Sequence, residues 1–581
     1  MREGLNRLWL VLVLGAFGVP LFIGLGATDL TNDEAIYSYA VESILTTGDW
    51  LSPLSSPSSD FPFLEKPPLK FWIVAAPIHF GLLPYNEFSL RVWDAVFGTV
   101  AFVYVFLIGR RLSGPICGVA AVLVLFAHTP LIFDHGFRSN NMDAALVLAY
   151  CGGVYHYLRW ATGAASGRTW HIAAVAGWFL LAFMTKFVAA LFLPAVLGLA
   201  ALALPAQRRQ LARDWWRWIA VGFAALALAF PWFYYQYTLH GRQVWRIMFG
   251  EHVVQRFTTF TDPGHLQPWH FYVSAAYTEF QLSGSAVWVG LGLGVLLVQT
   301  VRHRTPDRVV VLLWLVVPVT LISIGSSKLY HYLYPFLPPL ALAAGGAVAW
   351  IFAVANTRIG AHAWLDWRPS RWLRAGGWAV TAAAFAIAVA TLINDGVRFY
   401  AGEHLIFRNT SPVRPLIVGV IGIALAAGTR AWAAVTAVLV VQMILPTPLG
   451  AYEVHLRRLK FAHRPLGALA DCLRDVDAAE GRDSVSVYAP LADDAFLHPY
   501  FYYLRGTGWG GGRPDDERLR AALLPGGEPR PVVIDHAGYE GFVARIGQRP
   551  RLPAVTNLPF ILVLLPGPYG ACSRSTEFVA R

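Results

Sequence analysis

Residues 28–70 read TDLTNDEAIYSYAVESILTTGDWLSPLSSPSSDFPFLEKPPLK, a polar and aromatic stretch wedged between two apolar runs. It carries Asp33 and Glu34 just after the first run, and Glu65 and Lys66 just before Pro67 and Pro68. A loop of this length beside a bilayer, with acid and base at opposite ends, suits the wall of a site at the membrane surface. An N-cap followed by an acidic first helical turn would write the same letters around Asp33.

The surrounding chain is too apolar for a soluble protein: 56% of its 581 residues are hydrophobic and 14% charged. The net charge of +11 does not point to nucleic acid, because the arginines fall in short clusters between apolar runs, as in cytoplasmic loops of membrane proteins. Lysine occurs only at positions 66, 70, 186, 328 and 460, which makes each one informative.

The run 8–27, preceded by Arg2 and Arg7, reads as a first transmembrane helix. Residues 71–84 suit a helix lying in the interface. Further spans follow at 90–109, 114–133, 142–158, 170–184, 188–204, 218–237, 278–301, 309–325, 331–355, 375–393, 415–428 and 431–446. With the basic short connections inside, the chain reads as an α-helical polytopic membrane protein of about thirteen helices, N-terminus in and C-terminus out. The expected organisation is a transmembrane domain over 1–449, with a first external loop at 28–68 and a larger one at 238–277, and a small external α/β domain over 450–581. In that domain 484–488, 531–534 and 560–565 read as strands, and 516–524 and 539–546 as helices. Cys472 and Cys572 bracket it and can pair if it is exported, whereas Cys117 and Cys151 read as core residues.

This topology sorts the polar residues by side. Asp33, Glu34, Glu65, Lys66, Arg138, Asp143, Lys186, His252, Arg256, Lys328, His331 and Tyr332 all fall at the external mouth. Carboxylates and cations from distant stretches at one rim suit an anionic substrate and an acid/base step. Each also has a bland reading: Lys186 and Lys328 as snorkelling anchors, Asp143 as a helix-start acid, His252 and His331 as hydrogen-bonded structural histidines.

Taken together, NDEAIYSYAVESILTTGDW, EKPPLKFW, RSNNMDAALVL, MTKF, EHVVQRF and SSKLYHYLYPFLPPLAL resemble, in order and sidedness, the bacterial GT-C membrane glycosyltransferases. The resemblance is to the aminoarabinose (lipid A) transferases and their protein O-mannosyltransferase relatives, and it runs to about residue 345. It implies an inverting transfer of sugar from a polyprenyl-phosphate carrier to a lipid, glycan or protein acceptor on the external face of the bacterial inner membrane. Asp33 then matches a catalytic aspartate, with Glu34 and Tyr37 beside it, and Asp143 the acid opening the fourth span. Lys66, Arg256 and Tyr332 match residues that hold the donor phosphate, and Lys328 joins them as a further candidate. The family often has Arg where this chain has Ile36, and Gly where it has Phe187.

No cofactor is required on this reading, although Glu65 and His252 are able to share a divalent metal. A lipid-linked-sugar flippase is the competing class; it calls for mid-span charges and repeated halves, and no internal repeat is visible.

Overall fold

The computed structural model describes residues 2–55, 61–163, 167–260, 262–359, 369–394, 396–427, 446–481, 487–489, 498–504, 515–547, 549–550, 552–555 and 561–574. The chain divides into two compact units. One comprises Met1–Ile23, Leu64–Ile73 and Val92–Lys460; the other comprises Gly24–Phe63, Val74–Arg91 and Phe461–Arg581.

The first unit is helical and membrane-spanning. Among the described residues, seven helices are long and apolar enough to cross a bilayer, and four shorter apolar helices accompany them. Small residues let these helices approach closely. A Cβ on Gly109 would lie 2.6 Å from the Cα of Gly118, and one on Gly345 would lie 2.2 Å from the Cys117 carbonyl. A buried ion pair, Lys70 with Asp94 at 2.7 Å, is completed by Asn140 at 3.2 Å. No sequence pattern marks these three residues as partners.

Several expected spans are broken where side chains or glycines interrupt the ladder. The first run becomes Arg2–Val13, a π-turn Leu14–Gly18 and a 3₁₀ turn Val19–Phe22 with Pro20 near its start, so the helix ends short of Ala27. The span expected at 114–133 is Pro115–Phe126 followed by Thr129–Phe133, with the His128 ring accepting from the Leu131 N–H at the break. The span expected at 278–301 is two helices, Phe271–Leu282 and Ala286–His303. Between them Gly284 sits at φ +70°, where a Cβ would meet the Thr447 carbonyl at 2.6 Å; a side chain does not fit there.

The loop expected at 238–277 is mostly helical. Pro205–His240 is one 36-residue helix, and after Gly241 come Arg242–Trp245, a ten-residue π-helix Arg246–Gln255, and Arg256–Thr258. A β-hairpin, Val397–Ala401 with His404–Asn409, is a feature the sequence reading did not identify. The span expected at 431–446 lies outside the described residues except for Pro446.

The second unit unites the first loop with the C-terminal region. Asn32–Thr47 is a helix with a capping box, in which Glu34 reaches back to the Thr31 N–H at 2.8 Å, and it ends at Gly48 in the left-handed region. The Asp29 carboxylate accepts from the backbone N–H groups of Leu466 (2.7 Å) and Gly467 (3.0 Å), capping helix Pro465–Ala479. The Tyr503 hydroxyl bridges the Leu30 N–H and the Glu87 carboxylate, at 2.9 and 3.0 Å.

Strands Val532–Asp535, Ile561–Leu564 and Ala554–Val555 form an antiparallel sheet with the second strand central. The expected strands at 531–534 and 560–565 therefore exist. Residues 484–486 lie outside the described residues, while Tyr488 bridges Val532. The expected helices appear as Asp516–Leu523 and His536–Ile546. Cys472 and Cys572 form a disulfide.

Candidate active site

In the membrane unit a cluster is assembled by backbone bonds between distant segments. Ser326 N–H donates to the Phe257 carbonyl (3.1 Å), Ser327 N–H to Arg256 (2.9 Å) and Lys328 N–H to His265 (2.8 Å). These bonds zip the end of the π-helix to the segment that starts the 3₁₀ turn Tyr330–Phe336. The Arg256 guanidinium consequently donates to the Tyr332 hydroxyl.

The EKPP segment supplies the next residues. The Lys66 ammonium lies 3.9 Å from the Glu65 carboxylate, which also lies 3.5 Å from His252 Nε2. Burial, then the charges of Lys66 and Arg256, push the His252 imidazole down to about 2. It is therefore a neutral group at working pH, and its π-helical carrier is of a kind often found at functional positions.

On the other side of Tyr332, the Lys186 ammonium stands 5.4 Å from the ring centroid and 2.5 Å from Asp143 Oδ1. Lys186 closes helix Arg168–Lys186, where a cation suits the dipole, and Asp143 opens helix Asp143–Thr162, where an anion does. His331 stacks on His135 with ring centroids 4.5 Å apart. Of the expected site residues, Glu65, Lys66, Asp143, Lys186, His252, Arg256, His331 and Tyr332 thus form one connected group. His135 belongs with them and was missed; its only sequence signal is a lone His-Gly beside RSNNMD.

Within the membrane unit, two expected site residues stand apart from this group. Lys328 points its ammonium at the carbonyls of Gln267 (2.8 Å) and Gly325, so it braces its own loop. Arg138 donates to the Leu21 carbonyl at 2.6 Å and covers the Phe133 ring, tying down the end of the N-terminal helix.

In the second unit Glu34 is buried. Its two oxygens take Arg91 Nε (2.7 Å) and Nη2 (2.9 Å) as well as the cap bond, so its carboxylate is buried against structural partners. Asp33, Ile36 and Tyr37 are spaced i, i+3, i+4 and lie together on the half-exposed face of the same helix. The Tyr37 ring packs edge-on against Phe63.

An apolar cavity of about 830 Å³ in the membrane unit is lined by Phe183, Phe187, Phe233, Tyr237, Trp245 and Phe249, among others. Phe187 follows Lys186 directly and holds φ +36°, rare for a residue with a side chain.

The chain is similar to several known proteins. Residues 65–235 match the family model described as dolichyl-phosphate-mannose-protein mannosyltransferase. Undecaprenyl phosphate-alpha-4-amino-4-deoxy-L-arabinose arabinosyl transferase 2 of Pseudomonas fluorescens (strain Pf0-1) is 28% identical over 361 residues, covering 59% of this chain and 60% of that one. The corresponding transferase of Pseudomonas aeruginosa (strain UCBPP-PA14) is 27% identical over 366 residues, 61% of each chain. The chain thus matches about 60% of the length of these curated relatives. The crystal structure of ArnT from Cupriavidus metallidurans bound to undecaprenyl phosphate superposes with a TM-score of 0.62 at 18% identity, over 97% of this chain and 98% of that one. The chain has the GT-C membrane glycosyltransferase fold. The crystal structure of that Cupriavidus metallidurans ArnT in the apo state gives a TM-score of 0.59 over 96% of this chain. The GT-C likeness therefore extends through the C-terminal third, where the sequence resembled the family only in layout.

Proposed function

We propose that this protein is an inverting glycosyltransferase that takes a sugar from a polyprenyl-phosphate carrier and delivers it to a lipid acceptor of the lipid A type. The observation that carries the reading is the convergence of Lys66, Arg256 and the Tyr332 hydroxyl, with Lys186 beyond the ring. Glycosyl transfer leaves a phosphate monoester dianion, and preorganised donors in a half-buried pocket stabilise that charge as it develops. Two cations suffice for one monophosphate, so charge balance demands no metal there; Glu65 and His252 supply at most two ligands to one. The aromatic cavity beside Lys186 offers an apolar chain a wall of rings.

Asp33, on the half-exposed face of its helix with Tyr37, is the group we assign to accept the acceptor proton, should the acceptor be a hydroxyl. Asp143 pairs with Lys186 and orients that ammonium toward Tyr332. The disulfide and the arginine-rich short connections support placement in the bacterial inner membrane with the C-terminal region outside the cytoplasm.

The test uses purified full-length protein in nanodiscs, radiolabelled undecaprenyl-phosphate aminoarabinose and lipid A. Label should move to lipid A, and Asp33→Asn should abolish transfer while the protein stays folded. Label moving to protein in place of lipid would favour the mannosyltransferase relatives. Lipid crossing between leaflets without transfer would replace this reading with a flippase.

A further inference from the structure

We propose that His135, Asp143 and His331 hold a divalent transition-metal ion of the Zn²⁺ or Co²⁺ type. One ligand atom from each residue lies within 4.8 Å of the other two, so modest side-chain rotation brings all three onto one ion. Two imidazoles and a carboxylate are the donors such ions favour, and three protein ligands leave a position open.

The chain is shaped to deliver these groups. His135 sits at φ +53°, and the next residue must be glycine, because a Cβ on Gly136 would fall 1.8 Å from the Leu131 carbonyl. The turn brings the His135 ring onto His331. Asp143 is buried at the start of its helix, where Lys186 donates to its Oδ1. The Asp134 carboxylate, 3.7 Å from His135 Nε2, stands where an outer carboxylate commonly orients a ligating imidazole.

Charge sets the condition for binding. Asp134, Asp143 and Glu279 all lie within electrostatic range of Tyr334, which contacts the His331 ring. Lys186, Arg256 and Lys66 also act on His331. The trio therefore lies among acids and next to the cationic cluster, and an anion on that cluster should tighten the metal. The plain alternative is that the Lys186–Asp143 pair and the stacked histidines are packing alone. The metal site itself does not depend on the transferase reading; its coupling to phosphate does.

The experiment titrates chelator-stripped, full-length protein in nanodiscs with Co²⁺, read by calorimetry and visible absorption, with and without undecaprenyl phosphate. One Co²⁺ per chain is expected, retained in His252→Ala and weakened at least tenfold in both His135→Asn and Asp143→Asn. Asparagine is chosen at 135 because it tolerates positive φ, so backbone and fold are kept while the imidazole is lost. Undecaprenyl phosphate should tighten binding severalfold in wild type. No stoichiometric Co²⁺, or binding that His252→Ala removes and His135→Asn leaves alone, overturns the site. Binding lost in His135→Asn but indifferent to undecaprenyl phosphate upholds the site and overturns its coupling to the donor.

Discussion

The Arg256 guanidinium donates to the Tyr332 hydroxyl, joining residues 76 positions apart through a contact that the backbone bonds at Ser326 and Ser327 enforce. A hydroxyl held this way turns its own proton outward, so the pair presents a cation and an O–H donor side by side. Tyr332→Phe keeps the ring under Lys186 and removes only the hydroxyl. It should raise the KM for the lipid-linked donor about tenfold, the effect of losing one hydrogen bond to a charged group, ~1.5 kcal/mol. Donor titrations of the two proteins check it; an unchanged KM and kcat would remove Tyr332 from phosphate binding.

The Glu34–Arg91 pair separates structure from chemistry in the first loop. Both groups are buried, and Arg91 also donates to the carbonyls of Leu25, Thr28 and Asp29. Removing one partner of a buried pair typically costs about 3–5 kcal/mol, because the other charge is left without compensation. Arg91→Met should therefore lower the thermal midpoint steeply, with Glu34→Gln somewhat milder since the amide still accepts one of the bonds. Thermal unfolding in nanodiscs decides the matter. A Glu34→Gln protein with wild-type stability and no turnover would return Glu34 to the catalytic list.

Much of this was legible in the sequence because polar residues beside apolar runs stand out. EKPP, EHVVQRF and SSKLYHY mark three segments, and their common sidedness brings Lys66, Arg256 and Tyr332 to one rim. The direction of a long side chain was not legible. Lys328 looks identical to Lys66 in the sequence, yet two carbonyls capture its ammonium. His135 was invisible for a related reason: its place depends on a positive φ and on a glycine forced by the Leu131 carbonyl, neither of which leaves a periodic trace. The break at Gly284 was hidden too, since the contact that requires it comes from Thr447, far along the chain.

His252 gives a pH prediction with a definite sign. Its imidazole is held at about 2 by burial and by Lys66 and Arg256, below its ordinary value near 6.5. The unfolded chain thus takes up this proton first as pH falls, and the native state loses stability from about pH 6.5 downward, by up to ~1.4 kcal/mol per pH unit until the native group also protonates. His252→Gln should flatten that acid limb while leaving stability at pH 8 little changed. Thermal midpoints measured between pH 8 and 5 test this. Parallel curves for the two proteins would show that the imidazole is not shielded in this way.

Phe187 sets two effects against each other. Its φ of +36° strains a residue with a side chain by about 1–2 kcal/mol, and glycine would relieve that. Its ring, however, packs against Phe183, Phe233 and Phe249 with centroids 4.9, 5.1 and 5.0 Å away, and deleting a buried aromatic ring typically costs about 3–5 kcal/mol. Packing wins, so Phe187→Gly should be destabilised by a net ~2–3 kcal/mol while enlarging the aromatic cavity. Phe187→Ala keeps the strain as well as losing the ring, and should fall below the glycine variant by roughly the strain energy, about 1 kcal/mol. Chemical denaturation of the three proteins orders them. If alanine proves as stable as glycine, the backbone at this position is not strained, and the tight turn after Lys186 owes nothing to a conformation that glycine favours.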